Sequence, residues 1–426
     1  MLSILENEIE DASRNKSIMD RIRTETDRCI NCGFCESACP TYSASGYDAT
    51  KSARGRVQLA RKLYNEISTN QKVSIRIGDS VNSCLDCYAC LNVCPTGINA
   101  GEVSNLVKSL INSKDSPLKK DQNAIGKMIA STIMHRNQPI NIGKNLYSWS
   151  RGIRVDKSSE FLLYTGGMYQ MMAGSQRLSE IEKILGQAFS KKLSAILSHV
   201  PSAMYFSKFA YDRNLMGETS STLRKITGLL ENSGISFAYM GRGEPYPGTI
   251  LYDLGFDDEF HRYSERVYEI LKKAGKKKII TVDPHTYELL KYIYPEHVNN
   301  FDIEVYFYLD LIDPVILRSG DEKLAFHEPC HFELREHAYH KPMEFLQIIS
   351  KPVLPERHGK TLHCCGGPDE FLFPDLAAGV ADKRISQINS CGSSRIVTSC
   401  PICYANLRKS GNVIELADAL FEKIKN

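Results

Sequence analysis

The chain has 426 residues, 42% hydrophobic and 24% charged, with a formal net charge of +3. That length implies two or three domains with real cores, and the composition is that of an ordinary soluble protein, with no basic excess to suggest nucleic acid. No run is apolar enough for a membrane span and the acidic N-terminus lacks a signal-peptide pattern, so the expectation is a cytoplasmic protein, peripheral on the cytoplasmic membrane face only through partners. Fourteen cysteines in such a chain read as metal ligands, because a reducing compartment keeps thiols from pairing.

Residues 1–28 are charged, with Leu5, Ile9, Ala12, Ile18 and Ile22 loosely at helical spacing, and read as a surface helix. Cys29, Cys32, Cys35 and Cys39 follow, then Pro40; Cys84, Cys87, Cys90 and Cys94 repeat the pattern before Pro95. Both are C-x2-C-x2-C-x3-C-P, the bacterial-ferredoxin run. A tight loop wraps three thiolates around one face of a cubane, and the fourth cysteine reaches the other cluster. The expected 4Fe-4S sets are therefore crossed: Cys29, Cys32, Cys35 and Cys94 for one, Cys84, Cys87, Cys90 and Cys39 for the other. The alternative is a pair of zinc sites, whose C-x2-C knuckles normally stand further apart. Between the runs, Ala53 to Val57 opens a helix whose Arg54 and Arg56 either offset cluster charge or sit in solvent.

Residues 112–158 are polar and partly helical and read as a connector, with the lone Trp149 as packing. From 159 an α/β alternation begins. Phe161 to Thr165, Ile235 to Met240 and Lys278 to Val282 read as strands. The helix faces between them stop at Ser233-Gly234 and Gly275. This alternation predicts a mostly parallel sheet.

The last hundred residues carry C-x33-CC-x34-C-x2-C: Cys330, Cys364, Cys365, Cys400 and Cys403. Short apolar runs precede each group, at Lys323 to Glu328, Lys360 to His363 and Arg395 to Ser399. As buried parallel strands they would deliver all five thiols to strand carboxyl ends, where open α/β sheets bind ligands. A metal cluster is the expected occupant, with zinc, a simpler cluster or free thiols as alternatives. Cys391 lies outside the pattern and reads as a buried thiol. His327, His331 and His363 flank the set and either supply protons or orient the loops.

The two halves of this region repeat. Ile280 to Lys291 aligns with Val397 to Arg408, and Gly241 to Pro245 with Cys364 to Pro368. Where cysteines would stand, the first half has Gly167, Gly241, Arg242, Asp283 and Thr286. It is expected to be a scaffold without a site, with an arginine directed into the vacated cavity.

On these motifs the chain resembles the iron–sulfur subunits that pair two ferredoxin motifs with cysteine-rich CCG domains. That family includes the heterodisulfide reductase catalytic subunit and the iron–sulfur subunits of anaerobic glycerol-3-phosphate dehydrogenase and of glycolate and lactate oxidases. The resemblance implies a noncubane 4Fe-4S cluster on Cys330, Cys364, Cys365, Cys400 and Cys403. The expected architecture is α+β: residues 1–111 a helical ferredoxin-like domain, 112–158 a connector, 159–320 a degenerate CCG repeat and 321–426 an intact one. With no flavin or nicotinamide fingerprint, the chain needs a partner. Of two readings, the sequence favours electron transfer for a flavoprotein dehydrogenase acting on glycerol-3-phosphate or a 2-hydroxy acid, feeding a quinone or membrane-bound acceptor. The other is disulfide reduction at the C-terminal cluster, which would lose half of a paired site here.

Overall fold

The computed structural model describes residues 2–185, 211–334 and 338–425. The N-terminal region is mostly helical. A helix at Leu2–Asp27 packs on helices Ala53–Ser68 and Ala100–Asn112. The second starts where Ser52 accepts a hydrogen bond from the Gly55 N–H, and it buries Val57, Ala60 and Leu63 on one stripe. Asn99 caps the third in the same way, through the Gly101 N–H. These three helices enclose a core of Ile22, Val57, Leu63, Val81, Val103 and Val107 that also contains Cys39 and Cys90.

Two parallel four-stranded sheets follow. The first has strands β1 (Phe161–Tyr164), β2 (Ala238–Tyr239), β3 (Lys278–Thr281) and β4 (Glu304–Phe307), in the order β2-β1-β3-β4. The second has β5 (Lys323–Phe326), β6 (Lys351–Val353), β7 (Ile396–Thr398) and β8 (Val413–Glu415), in the order β6-β5-β7-β8. Every pairing within them is parallel. The architecture is α+β, with the same strand order twice, so the internal repeat seen in sequence is a repeat of topology. In each sheet the first and third strands are neighbours whose chains leave in opposite directions, which opens a crevice at their carboxyl ends.

Two expected strands change. Lys360 to His363 is not a strand. Gly359–Thr361 forms a 3-10 turn with Gly359 at φ 54°, and Lys360 and Thr361 are exposed. Leu362 is the one buried apolar residue of the run, too little apolar surface to hold a central strand, and the sheet edge is instead taken by β6. The 235–240 run pairs only at Ala238 and Tyr239. Trp149 packs in the core against Tyr239, with ring centroids 5.1 Å apart.

Both sheets share one large hydrophobic core, and Leu85, Cys87 and Ala89 of the second cysteine run belong to it. The second run therefore straddles the two cores: Cys90 sits in the N-terminal one and Cys87 in the larger one. Hydrogen bonds from Arg357 Nη2 to the Ala38 carbonyl (3.1 Å) and from Lys383 Nζ to the Ser43 carbonyl (2.6 Å) fasten the regions together.

Candidate metal centres

All fourteen cysteines are free thiols, and thirteen of them gather in three places. Cys29, Cys32, Cys35 and Cys94 line one small cavity, with Arg54 and Val57 in its wall. Cys39, Cys84, Cys87 and Cys90 line a second, with Arg56. Each of these foursomes draws three cysteines from one run and one from the other. The αL residues Gly33 and Tyr88 turn each loop sharply before a short helix. Cys32 is exposed, whereas Cys39, Cys87 and Cys90 are buried.

Donors already face the sulfurs. Gln58 Nε2 stands 3.5 Å from Cys29 Sγ and the Ile98 N–H 3.3 Å from Cys94 Sγ. Burial raises the Cys35 thiol to about 12, and the neighbouring Cys94 and Cys29 add to it. A cation that binds such thiols must displace their protons, so loading of this set is favoured by rising pH.

The C-terminal five converge from three segments. Cys330 begins a short helix after β5, and Cys400 caps the helix Pro401–Leu407, which carries Cys403. Cys364 and Cys365 come on the loop after the Gly359–Thr361 turn, not from a strand end, and Gly366 at φ 85° turns the chain back. All five are buried. The Gly366 N–H lies 3.5 Å from Cys364 Sγ and the Gly367 N–H 3.4 Å from Cys365 Sγ. Cys364 and Cys403 direct hydrogen bonds at Cys365 and hold it well below the ordinary thiol range.

His327 joins this set: its ring nitrogen and the sulfurs of Cys365 and Cys403 lie within 4.8 Å of one another. Arg384 Nε donates to His327 Nδ1 at 3.0 Å, which leaves the proton on Nε2, facing the thiols. His363 Nδ1 lies 3.0 Å from the Cys364 carbonyl oxygen, and burial, with Arg357, lowers its pKa to about 3, so it is a neutral structural group. His331 pairs closely with Glu288, and its ring lies tilted against that of His285, centroids 3.6 Å apart. Cys391, expected to be buried, is half-exposed, and its sulfur faces only the Gln387 carbonyl.

Two features were beyond sequence reasoning. Cys364 and Cys87 are within hydrogen-bonding reach, so the second ferredoxin-type foursome abuts the C-terminal set. Beside this junction lies a cavity walled by Cys84 and Lys108 on one side and Gly367, Asp369 and Ile402 on the other. Apolar Met168, Met171, Met172 and Ile140 line much of the rest. No spacing in the sequence relates Cys87 to Cys364.

A model of the 4Fe-4S dicluster domain matches residues 25–98, and one of the cysteine-rich CCG domain matches 324–408. The chain thus carries a 4Fe-4S dicluster domain and a cysteine-rich CCG domain. The donor sets fit such cofactors: four converging thiols in each foursome, no carboxylate among them, and no disulfide in the chain. The dicluster domain implies two 4Fe-4S clusters, and CCG domains bind iron–sulfur centres.

Among curated proteins, a subunit of dihydromethanophenazine:CoB–CoM heterodisulfide reductase from Methanosarcina barkeri is 23% identical over 94% of this chain and 92% of its own. EtfAB:quinone oxidoreductase of Syntrophomonas wolfei is 22% identical over 94% of this chain and 58% of its own. A probable glycolate oxidase iron–sulfur subunit of Bacillus subtilis reaches 36% identity, but over only 20% of this chain and 18% of its own. Among the described residues no helix is long and apolar enough to cross a membrane.

The first sheet's crevice is filled by other side chains. Arg242, expected to point into it, is exposed instead, because Gly241–Gly243 forms a surface 3-10 turn. Glu244 takes the interior position and accepts from the Thr165 N–H (2.7 Å) and hydroxyl (2.6 Å). Asp283 caps Thr286 through its N–H at 2.9 Å, and Gly167 packs on Leu146.

Burial raises Glu244 to about 7, the Thr165 hydrogen bonds working against that. Its pKa is higher folded than unfolded, so its contribution to stability is complete below about 4.5 and is lost as pH rises through 7. Glu244→Gln is therefore expected to gain on the parent by on the order of 2–3 kcal/mol between pH 5 and pH 8. Urea unfolding at the two pH values checks this; an equal difference at both would mean that Glu244 stays ionised.

Proposed function

We propose that the chain is the iron–sulfur subunit of a multi-subunit oxidoreductase that reduces a disulfide at its C-terminal cysteine site. In this reading Cys29, Cys32, Cys35 and Cys94 hold an outer cubane cluster, and Cys39, Cys84, Cys87 and Cys90 an inner one. Cys330, Cys364, Cys365, Cys400 and Cys403 hold a noncubane 4Fe-4S cluster. The domains divide at 1–111, 112–158, 159–320 and 321–426. When bound, these clusters supply one-electron transfer.

The observation that carries the reading is the junction of Cys87 with Cys364 beside a mostly apolar cavity. An exposed cysteine at one end and a fully buried set at the other give the chain an entrance and an interior terminus. Gly367 and Ile402 lie between the cavity and Cys365, close enough that a side chain at Gly367 would meet both. A small molecule there would touch the wall of the thiol set while Met168, Met171 and Met172 exclude water. The net step is RS–SR plus two electrons and two protons giving two thiols. The electrons come from the donor of an associated protein, and the buried Asp369 is one of the acids lining the cavity, with Asp86, Asp253 and Glu370. Similarity along nearly the whole length of the Methanosarcina heterodisulfide reductase chain supports this over the dehydrogenase reading that the sequence favoured.

Reduction of a low-mass alkyl disulfide by the anaerobically reconstituted chain, driven by reduced viologen and followed as thiol release, tests the proposal. Catalytic release is expected. No release from a chain with full iron content would reject it. The dehydrogenase reading, favoured by the short 36% match to the glycolate oxidase subunit, predicts instead a stoichiometric flavin co-purifying from the native host.

A further inference from the structure

The two ferredoxin-type foursomes sit in opposite electrostatic surroundings. Around the outer one, Arg54 is spent on Glu36, at 3.2 Å, and the part-buried Arg61 is spent on the Thr26 and Cys29 carbonyls rather than aimed at a sulfur. The charges acting on Cys35 after burial are those of Cys94, Cys29, Glu36 and Cys39, all negative.

The inner foursome faces cations. Arg56 is 1% exposed and none of its acceptors is a carboxylate. Its Nε donates to the Ser80 carbonyl (2.8 Å), and Nη2 to the Ser83 carbonyl (2.9 Å) and to Thr41 Oγ1 (3.1 Å). Nη1 points at Cys39 Sγ, at 3.7 Å. Burial works against its charge, and Cys84 and Cys39 more than restore it. Lys108, also buried, acts on Cys84, and Arg357 acts on Cys87 and Cys39. Asp86 is the acid acting on Cys84 from the other sign. Asp369, the acid acting on Arg56, is pushed up to about 7 by burial, so its neutral form is readily populated.

We infer that Arg56, with Lys108 and Arg357, sets the reduction potential of the inner cluster above that of the outer one, so that an electron entering at Cys32 runs inward toward the C-terminal cysteines. Reduction adds negative charge, which a fixed cation favours. Burial alone would lower the inner potential by removing water. The same burial strips the screening from Arg56 and Lys108, which with the half-buried Arg357 outnumber the opposing Asp86 and Asp369, and the cations prevail. The fork of Arg56 is tied to two backbone carbonyls, so it keeps this position in both oxidation states. Arg56 is thus a positioning residue for charge, and it touches no substrate.

The inference rests on the crossed ligand assignment, so the test separates the two. The full chain, reconstituted anaerobically, is titrated potentiometrically and read by electron paramagnetic resonance. Arg56→Gln is expected to lower the inner cluster's midpoint by about tenfold in the reduction equilibrium, about 59 mV for one electron. Arg56→Lys should restore most of it, and Arg54→Gln should move neither midpoint. Unmoved midpoints in Arg56→Gln at full iron content would overturn the inference. Should that variant fail to take up iron, Lys108→Gln is expected to lower the same midpoint about threefold, and no shift there is equally fatal. Cys39→Ser should disturb the same signal as Arg56→Gln; if it disturbs the signal lost in Cys32→Ser, the crossed assignment itself has failed.

Discussion

Cys365→Ser is expected to remove the C-terminal iron–sulfur centre and lower disulfide reduction by more than about 100-fold, while both ferredoxin-type signals persist. Cys365 is where the set meets: Cys364 and Cys403 both direct hydrogen bonds at it, and a His327 ring nitrogen lies within 4.8 Å of it. A hydroxyl in its place is a poor ligand for iron and leaves buried thiols without their common partner. The outer foursome lies at the N-terminal core and shares no residue with this site. Cys364→Ser should differ from Cys365→Ser. Cys364 reaches Cys87, so its loss is expected to alter the inner ferredoxin-type signal as well. Iron content and low-temperature spectra of the two variants check this. If Cys365→Ser erased all signals, the three sites would be one cooperative unit.

Restoring cysteine at positions 167, 241, 242, 283 and 286 together is expected to destabilise the chain strongly. A bare scaffold would tolerate the change, but this crevice is packed. Gly167 has φ +68°, and a Cβ there would stand 2.8 Å from Leu146 Cδ1. Gly167→Cys alone is expected to cost about 2–5 kcal/mol, from the left-handed backbone and the overlap. Replacing Asp283 removes the cap on the Thr286 N–H, for about another 1 kcal/mol. Gly241 has φ +59° at the surface, and Arg242 is exposed, so cysteines there would not face positions 283 and 286. Against a total stability of about 5–15 kcal/mol, a summed loss of about 3–6 kcal/mol removes a large share. Thermal unfolding of Gly167→Cys and of the five-fold variant measures it. A five-fold variant as stable as the parent, and able to take up extra iron, would mean that the crevice still adapts to a cluster.

Repacking bears on mechanism too. With Glu244 and Asp283 in the first crevice, this half offers carboxyl and hydroxyl groups where a second cluster would need thiolates. Any disulfide chemistry therefore depends on a single C-terminal set and on the cavity beside it. His285, from the first half, and Ile402, from the second, occupy aligned positions in the repeat and both line that cavity. The degenerate half thus still contributes a wall.

The cysteine runs were legible because cluster ligation is written in local spacing: a loop of fixed length must wrap a small rigid cofactor. The α/β alternation was legible for a similar reason, since strand and helix periods are short-range. Lys360 to His363 misled because a short apolar run does not say whether a neighbouring strand exists to pair with it. Arg242 misled because sequence alignment of the halves cannot tell that a 3-10 turn carries its side chain outward and brings Glu244 inward. What the sequence by itself determined here is which residues are able to bind iron and in what kind of fold. The tertiary structure alone decided that the inner foursome abuts the C-terminal set, with Cys87 against Cys364, and that Arg56, Lys108 and Arg357 surround the inner foursome. Those contacts join residues tens to hundreds of positions apart, and burial, which makes their charges count, is a property of the packed chain.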